Sequence, residues 1–179
     1  MYRSFAPFVT APRVRSRRPV MRIAAAVAAG LLALTLAACS PTVNLEPAAD
    51  ANDPACAEVT VRLPDTVADQ PKRETNAQAT GAWGDPSAVI LHCGVQAPGP
   101  TTDPCYSLNG VDWIEDDSDA ADDIYVFTTF GREPAVEVVI NADPETGVSG
   151  TTALIDLSSA VSVLPQNAQC VGAEDVLDG

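Results

Sequence analysis

The stretch Gly81–Val95, GAWGDPSAVILHCGV, organises the predicted fold. A Gly-Asp-Pro turn that carries Trp83 leads into a continuous apolar run, Ala88–Cys93, which ends at Gly94. A short apolar run bounded by proline and glycine is typical of a buried strand. We therefore predict that Ala88–Cys93 is a central strand and that the turn before it presents Trp83.

Other segments extend this strand into a sheet. Asn109-Gly110 is a strong hairpin signal within Tyr106–Trp113. A second hairpin is predicted from two segments rich in β-branched and aromatic residues, Ile124–Phe130 and Ala135–Ile140. Helical spacing of apolar residues predicts a helix over Thr152–Leu164. The expected fold class is α+β, with a mainly antiparallel sheet of about four to five strands, a C-terminal helix packed on one face and two disulfides.

The region before Gly81 gives weaker signals. Alternating residues predict an edge strand over Glu58–Arg62. Leu63–Val67, with Pro64 near its start, predicts a helical turn. Pro71–Thr80 is polar and is predicted to be a loop.

Charge is divided unevenly along the chain. The net charge is −14, and six of the ten basic residues precede Cys39, whereas no acidic residue precedes Glu46. From Cys39 onward, four basic residues face all 24 acidic ones. Such a surface repels phosphate backbones and anionic headgroups, so we expect no nucleic-acid partner and no electrostatic membrane contact.

The N-terminus predicts an exported, lipid-anchored protein. A basic segment is followed by the apolar run Ile23–Ala38, which together are typical of a signal peptide over residues 1–38. Leu36-Ala37-Ala38-Cys39 matches the bacterial lipobox, so cleavage would leave Cys39 as the lipidated first residue. Two acyl chains, such as palmitate, give stable anchoring on the outer side of the cytoplasmic membrane. Ser16–Arg22 resembles a twin-arginine export signal, which is lost if the protein starts at Met21.

The part after Cys39 divides into three segments. Residues 39–55 are rich in Pro, Ala, Asn and Asp and are predicted to be a flexible tether. Residues 56–170 form the predicted globular domain, and residues 171–179 form a C-terminal tail. A tether of this composition would lift the domain off the membrane.

Four cysteines remain in the exported domain: Cys56, Cys93, Cys105 and Cys170. They predict two disulfides, with three possible pairings. The turn-rich loop between Cys93 and Cys105 favours a bridge between these two, which leaves Cys56 to pair with Cys170. A zinc site is disfavoured, because there is no Cys-x-x-Cys pair and His92 is the only histidine.

Five blocks of the domain resemble a known family: Ala82–Pro86, Cys93–Val95, Gly110–Trp113, Phe127–Arg132 and Pro134–Val138. In this order and spacing they resemble domain-of-unknown-function family 3515, a group of actinobacterial lipoproteins and exported proteins. The resemblance runs from about Cys56 to Cys170. It implies an envelope location and a shared architecture, but no activity, cofactor or catalytic residue.

Two stretches contain enough oxygen donors to suggest a cation site. Glu115–Asp123 is the densest acidic run, and Asn141–Gly147 spaces its oxygen donors by two. Calcium prefers such ligands, but the acidic run fails the EF-hand template, since Asp122 stands where the glycine is required. We favour a solvated loop and a turn, respectively, and predict neither a metal nor another cofactor.

One set of residues suggests ligand recognition: Trp83, Asp85, Trp113 and Arg132. Turns and hairpin loops often present recognition side chains, and a scarce cation in an acidic domain attracts either Asp85 or Asp112, or an anionic ligand. The alternative is two core tryptophans and a structural salt bridge.

These features lead to three functional hypotheses. The first is a non-enzymatic binding module on the cell envelope, with a protein or a cell-wall component as partner. The second is a small-ligand receptor that uses Trp83, Trp113 and Arg132. The third is a cell-wall hydrolase with an acidic pair. No serine motif surrounds His92, and Gly147-Val148-Ser149-Gly150 is not a nucleophile elbow, because the fifth-position glycine is absent. The cysteines are assigned to bridges or lipid, so we favour a protein without catalytic residues.

Overall fold

The apolar run near the middle of the chain forms the strand around which the sheet is built. The structure is a computed structural model and describes residues 41–171. Val89–Val95 is one of its two longest strands and pairs on both sides, with Thr80–Trp83 and with Ala135–Asn141. The predicted central strand is therefore confirmed.

In residues 41–171 the chain forms eight strands, β1 (Thr66–Val67), β2 (Gln70–Arg73), β3 (Thr80–Trp83), β4 (Val89–Val95), β5 (Cys105–Leu108), β6 (Val111–Asp116), β7 (Ile124–Thr129) and β8 (Ala135–Asn141). Two α-helices, α1 (Pro54–Thr60) and α2 (Gly150–Val161), and a 3₁₀ turn at Ala120–Asp122 complete the described part. The strands form one antiparallel sheet in the order β1-β2-β3-β4-β8-β7-β6-β5. The α+β antiparallel class is confirmed. The strand count of four to five is wrong, because the short strands β1, β2 and β3 carry no apolar alternation.

The pairing register gives the sheet a covered face and an open face. Leu91 lies opposite Val138, and Cys93 lies opposite Val136. These four residues point to the same side, where they are fully buried beneath α1 and α2. Residues on the alternate side, such as His92, are partly exposed, and no helix of residues 41–171 covers them.

The C-terminal helix forms close to its predicted position. The Ser149 side chain caps α2 by accepting a hydrogen bond from the Thr152 amide at 3.4 Å. Leu154 and Leu157 are buried, as are Val161 and Leu164, so the predicted apolar stripe is confirmed. The helix ends at Val161, three residues before the predicted end.

The edge strand predicted over Glu58–Arg62 is wrong, because this region is the end of helix α1. The Asp53 side chain accepts a hydrogen bond from the Ala55 amide at 2.8 Å, and Pro54 occupies the first turn. Cys56 and Val59, three residues apart, then lie on one buried face. A good cap and two buried side chains outweigh the local alternation.

The next segment is a hairpin where a helical turn and a loop were predicted. Thr66 lies opposite Pro71, and Val67 lies opposite Gln70. The two connecting residues, Ala68 and Asp69, both have positive φ (46° and 62°). A two-residue turn of this type matches the twist of the strands, so a hairpin forms even though the sequence lacks glycine here.

The predicted tether is part of the domain. Arg73 Nη2 donates to the carbonyl oxygen of Pro41 at 2.8 Å, and the Val43 amide donates to the Glu74 carbonyl oxygen at 2.8 Å. Further along, the Asp50 amide donates to the Gly94 carbonyl oxygen at 2.9 Å. The prediction of a flexible tether over residues 39–55 is thus corrected for residues 41–55, since contacts with β2 and β4 hold this segment against the domain.

Two disulfides are present, but the favoured pairing was wrong. Cys56 pairs with Cys93 across a Cα–Cα distance of 5.6 Å, and Cys105 pairs with Cys170 across 6.3 Å. β8, β7 and β6 lie between β4 and β5, which keeps Cys93 away from Cys105 in spite of the short loop that joins them. Cys56 instead lies directly over β4, because α1 packs on that strand.

Some predictions fall outside the described residues. The signal peptide over residues 1–38, the lipidated Cys39 and residues 172–179 of the tail belong to this group. Within residues 41–171, no helix combines the length and the apolar character needed to cross a bilayer.

Candidate functional site

Trp83 is a core residue rather than a recognition residue. It is the last residue of β3 and has 0% of its surface exposed. Its ring lies over Gly81, where an added Cβ would approach the ring to 2.6 Å, and its indole nitrogen donates to the Pro64 carbonyl oxygen at 3.0 Å. The predicted turn follows Trp83 instead of carrying it.

Trp113 is also a core residue, with 0% of its surface exposed. It lies on β6, and three strands separate it from β3 and Trp83. The receptor hypothesis required Trp83, Trp113 and Arg132 to line one ligand pocket. The structure does not bring the tryptophans together or expose them, so that prediction is wrong.

Arg132 joins three backbone segments. Its guanidinium donates to the carbonyl oxygens of Leu164 and of Gly110, the latter at 2.9 Å, and lies 3.5 Å from the Gln166 side-chain oxygen. Burial lowers the pKa of Arg132, and the charge of Asp112 acts in the opposite direction. The side chain is therefore engaged in structure and is not free for an anionic ligand.

The two predicted carboxylate partners of Arg132 have other contacts. Asp85 forms an ion pair with Arg73, at 3.0 Å between Oδ1 and Nη1. Asp112 is buried and accepts hydrogen bonds from the Ser107 hydroxyl and from the Cys170 amide, the latter at 2.8 Å. Asp112 thus helps to hold the C-terminal segment beside β6.

The side-chain oxygen atoms of Asn141–Gly147, which suggested a cation site, instead stabilise a turn. Asp143 Oδ1 accepts hydrogen bonds from the amides of Glu145 (2.9 Å) and Thr146 (2.7 Å) and from the Thr146 hydroxyl (2.9 Å). These bonds lower the pKa of Asp143. Among residues 41–171, no group of three or more His, Cys, Asp or Glu side chains is arranged to hold a metal ion.

An open groove on the covered face of the sheet is the best candidate site. It has a volume of about 380 Å³ and lies between strands β5 to β8 and the start of α2. Aromatic and aliphatic side chains make up most of its lining, together with one carboxylate: Tyr106, Leu108, Glu115, Tyr125, Phe127, Ile140, Ala142, Gly150, Thr151 and Leu154. This volume and this composition are those of small-molecule and side-chain binding sites.

The strand register brings these side chains to one face. Glu115 lies opposite Phe127, which lies opposite Val138, and Tyr125 lies opposite Ile140. Alternate residues of a strand share a face, so the aromatic rings of β7 line the groove beside Glu115. The helix α2 covers only part of this face, and the uncovered part is the groove.

A hydrogen bond positions the polar end of the groove. The Tyr106 hydroxyl donates to Glu115 Oε2 at 2.9 Å, while 44% of the Tyr106 surface stays exposed. This bond and the charges of Glu115 and Asp117 raise the pKa of Tyr106, so the phenol stays protonated and keeps donating at neutral pH. The same bond positions the Glu115 side chain at the edge of the groove.

The basic side chains of residues 41–171 lie elsewhere. Arg73 and Arg132 are buried, and Arg62 pairs with Glu58 at 2.6 Å on the surface of α1. Lys72 lies on β2, toward the opposite edge of the sheet from β6. Neither ion pair found in the described part of the chain involves an acid of the groove, so no basic side chain of residues 41–171 neutralises the charge of Glu115.

The groove residues were not predicted as a site. The signal that could have identified them is the hairpin turn at Asn109-Gly110, since it sets Tyr106 and Leu108 on the same face as Trp113. The position of Glu115 beside Phe127 depends in addition on the pairing of β6 with β7 across a long loop. Sequence alone does not give that register.

Comparison with known proteins decides the family. The model of a family described as protein of unknown function (DUF3515) matches residues 10–169, which is most of the chain. The chain belongs to the DUF3515 family. No curated protein and no solved structure matches it. The DUF3515 description assigns no activity, so the function of this member has to be argued from its own residues.

We predict that Arg132→Met destabilises the fold. The substitution leaves the Gly110 and Leu164 carbonyl oxygens without their buried donor, and each unsatisfied group costs roughly 1–3 kcal/mol. Urea unfolding should show a loss of about 2–5 kcal/mol in the free energy of unfolding. Arg62→Met, which removes an exposed pair, is the control and should cost less than about 1 kcal/mol. Equal losses for the two variants would contradict a structural role for Arg132.

Proposed function

We propose that this protein is a lipid-anchored protein of the cell envelope that acts outside the cytoplasmic membrane as a non-enzymatic binding module. The observation that carries the proposal is the groove beside α2, an open site of about 380 Å³ lined mainly by aromatic and aliphatic side chains and by a single carboxylate. The lipobox ending at Cys39 supports the anchor. The partner is a protein or a cell-wall component that inserts a side chain into the groove.

The chemistry of the groove favours binding over catalysis. Hydrolysis by an acidic pair needs two carboxyl groups that face one cleft. The described lining of the groove contains one, Glu115, and Glu115 is engaged with the Tyr106 hydroxyl. The remaining lining is mostly apolar, which suits a site that excludes water from a partner's side chain.

The anchor is tested by Cys39→Ala. Removal of the sulfur removes the site of lipid attachment, so the protein should leave the membrane fraction or accumulate as an unprocessed precursor. Cell fractionation and a mass measurement of the mature chain give the result. An unchanged membrane fraction would show that Cys39 does not carry the anchor.

The groove is tested by Gly150→Leu combined with crosslinking in cells. Gly150 has an ordinary φ, and a Cβ there would have its nearest contacts with Ile140 and Phe127 at 3.7 Å, so a leucine can fill the groove without backbone strain. A photoreactive residue at position 106 should form an adduct in the wild-type background. Gly150→Leu should reduce that adduct at least about fivefold.

Two controls accompany the crosslinking. Gly99→Leu introduces the same side chain where an added Cβ meets nothing within 4 Å, and it should leave the adduct unchanged. A photoreactive residue at the exposed Val61 should not give the same adduct. Recovery of the bare monomer from position 106, or an adduct that Gly150→Leu does not reduce, would contradict the proposal.

A further inference from the structure

We infer that the groove binds a cationic side chain, a lysine or an arginine flanked by apolar residues on a partner protein. This inference rests on the proposed function and specifies the chemistry of its ligand. Three properties of the groove carry it: the aromatic lining, the position of Glu115 and the absence of a neutralising cation among the described residues. The partner is thus a basic, partly apolar segment.

The aromatic lining suits the stem and the charge of such a side chain. Tyr106, Tyr125 and Phe127 present three rings to one open space. Aromatic faces attract lysine and arginine groups through their negative electrostatic potential. The aliphatic residues below them, Ile140 and Leu154, match the methylene stem, which long basic side chains bury while the charged end stays near water.

Glu115 supplies the ionic contact at the groove. Its carboxylate accepts one hydrogen bond from Tyr106, which leaves acceptor positions for a second donor. A charge-assisted bond from an ammonium or guanidinium group is about twice as strong as a neutral one. Gly150 and Thr151, at the positive end of the α2 dipole, also line the groove, so the cation is expected beside Glu115 and not beside the helix.

The electrostatic field of the acidic residues near the groove favours the same class of partner. Asp117 is close enough to Tyr106 to contribute to its raised pKa, and the acidic run continues from it to Asp123. This field attracts a basic partner and speeds its encounter, and it repels a second copy of this acidic chain. Charge complementarity therefore selects a basic protein segment over self-association.

The test uses three peptides that differ at one position. Each is an acetylated tripeptide amide with leucine on both sides of lysine, norleucine or glutamate, because norleucine keeps the stem and lacks the charge. The full-length chain in lipid nanodiscs is titrated with each peptide, and NMR shifts of Tyr106, Phe127 and Leu154 report binding in the groove. The lysine peptide should bind about five to ten times more tightly than the norleucine peptide at low salt, and the glutamate peptide should bind most weakly.

A matched pair of variants assigns the preference to the groove. Glu115→Gln should reduce the lysine preference to less than about twofold, whereas Glu137→Gln, the same charge change on the open face of the sheet, should retain it. Equal binding of the lysine and norleucine peptides, or no groove shift with the lysine peptide, overturns the inference. Neither outcome contradicts the proposal that the domain is a binding module. That proposal is tested by the crosslink from position 106 and by its sensitivity to Gly150→Leu.

Discussion

The backbone of Gly94 lies directly against the backbone of Asp50 and Ala51, and the rest of the domain depends on this contact. An added Cβ at Gly94 would lie 2.4 Å from the Asp50 carbonyl carbon, and the residue has a φ of 96°, so only glycine fits. The adjacent Cys93 is joined to Cys56 on α1. Strand β4 thus fastens the N-terminal part of the domain by a close backbone contact, a hydrogen bond from Asp50 and a disulfide.

Strand β4 also supports the groove, through the strands that pair beyond it. β4 pairs with β8, and β7, β6 and β5 follow toward the edge of the sheet. One continuous hydrogen-bonded sheet therefore positions the groove residues. Arg132 and Asp112 connect this outer part to the segment after α2. Ligand sites built on strands hold their side chains more accurately than sites built on loops. The two buried arginines, Arg73 and Arg132, bond to backbone carbonyl oxygens, and no basic side chain of residues 41–171 pairs with Glu115 in the groove.

Periodicity and turn chemistry predicted the strongly patterned parts of the fold. The apolar run before Gly94, the hairpin at Asn109-Gly110 and the apolar stripe of α2 all appear where the sequence placed them. Helix α1 was missed because it is short and its evidence is a cap at Asp53, which competes with local alternation. The disulfide pairing and the groove depend on the order of strands in the sheet. Contacts between residues far apart in sequence set that order, and one chain does not reveal them.

The prediction that the turn presents Trp83 was wrong by a single residue. The turn begins one residue after it, at Gly84, and this difference moves the ring from the surface to the core. A tryptophan beside a turn therefore gives no reliable sign of a binding site, whereas Tyr106, three residues before the Asn109-Gly110 turn, lines the groove.

The central claim is that residues 41–55 belong to the domain and are held against its sheet, with Asp50 bonded to the central strand. Native-state hydrogen exchange of the amides of Val43, Leu45 and Asp50 tests it most directly, since each donates a hydrogen bond to the domain. We expect the Asp50 amide to be protected to a degree similar to the amides of β4, and the amides of Val43 and Leu45 to exchange well below the rate of an unstructured chain. Exchange of all three amides at the unstructured rate would contradict it and would restore the prediction that residues 41–55 are a flexible segment.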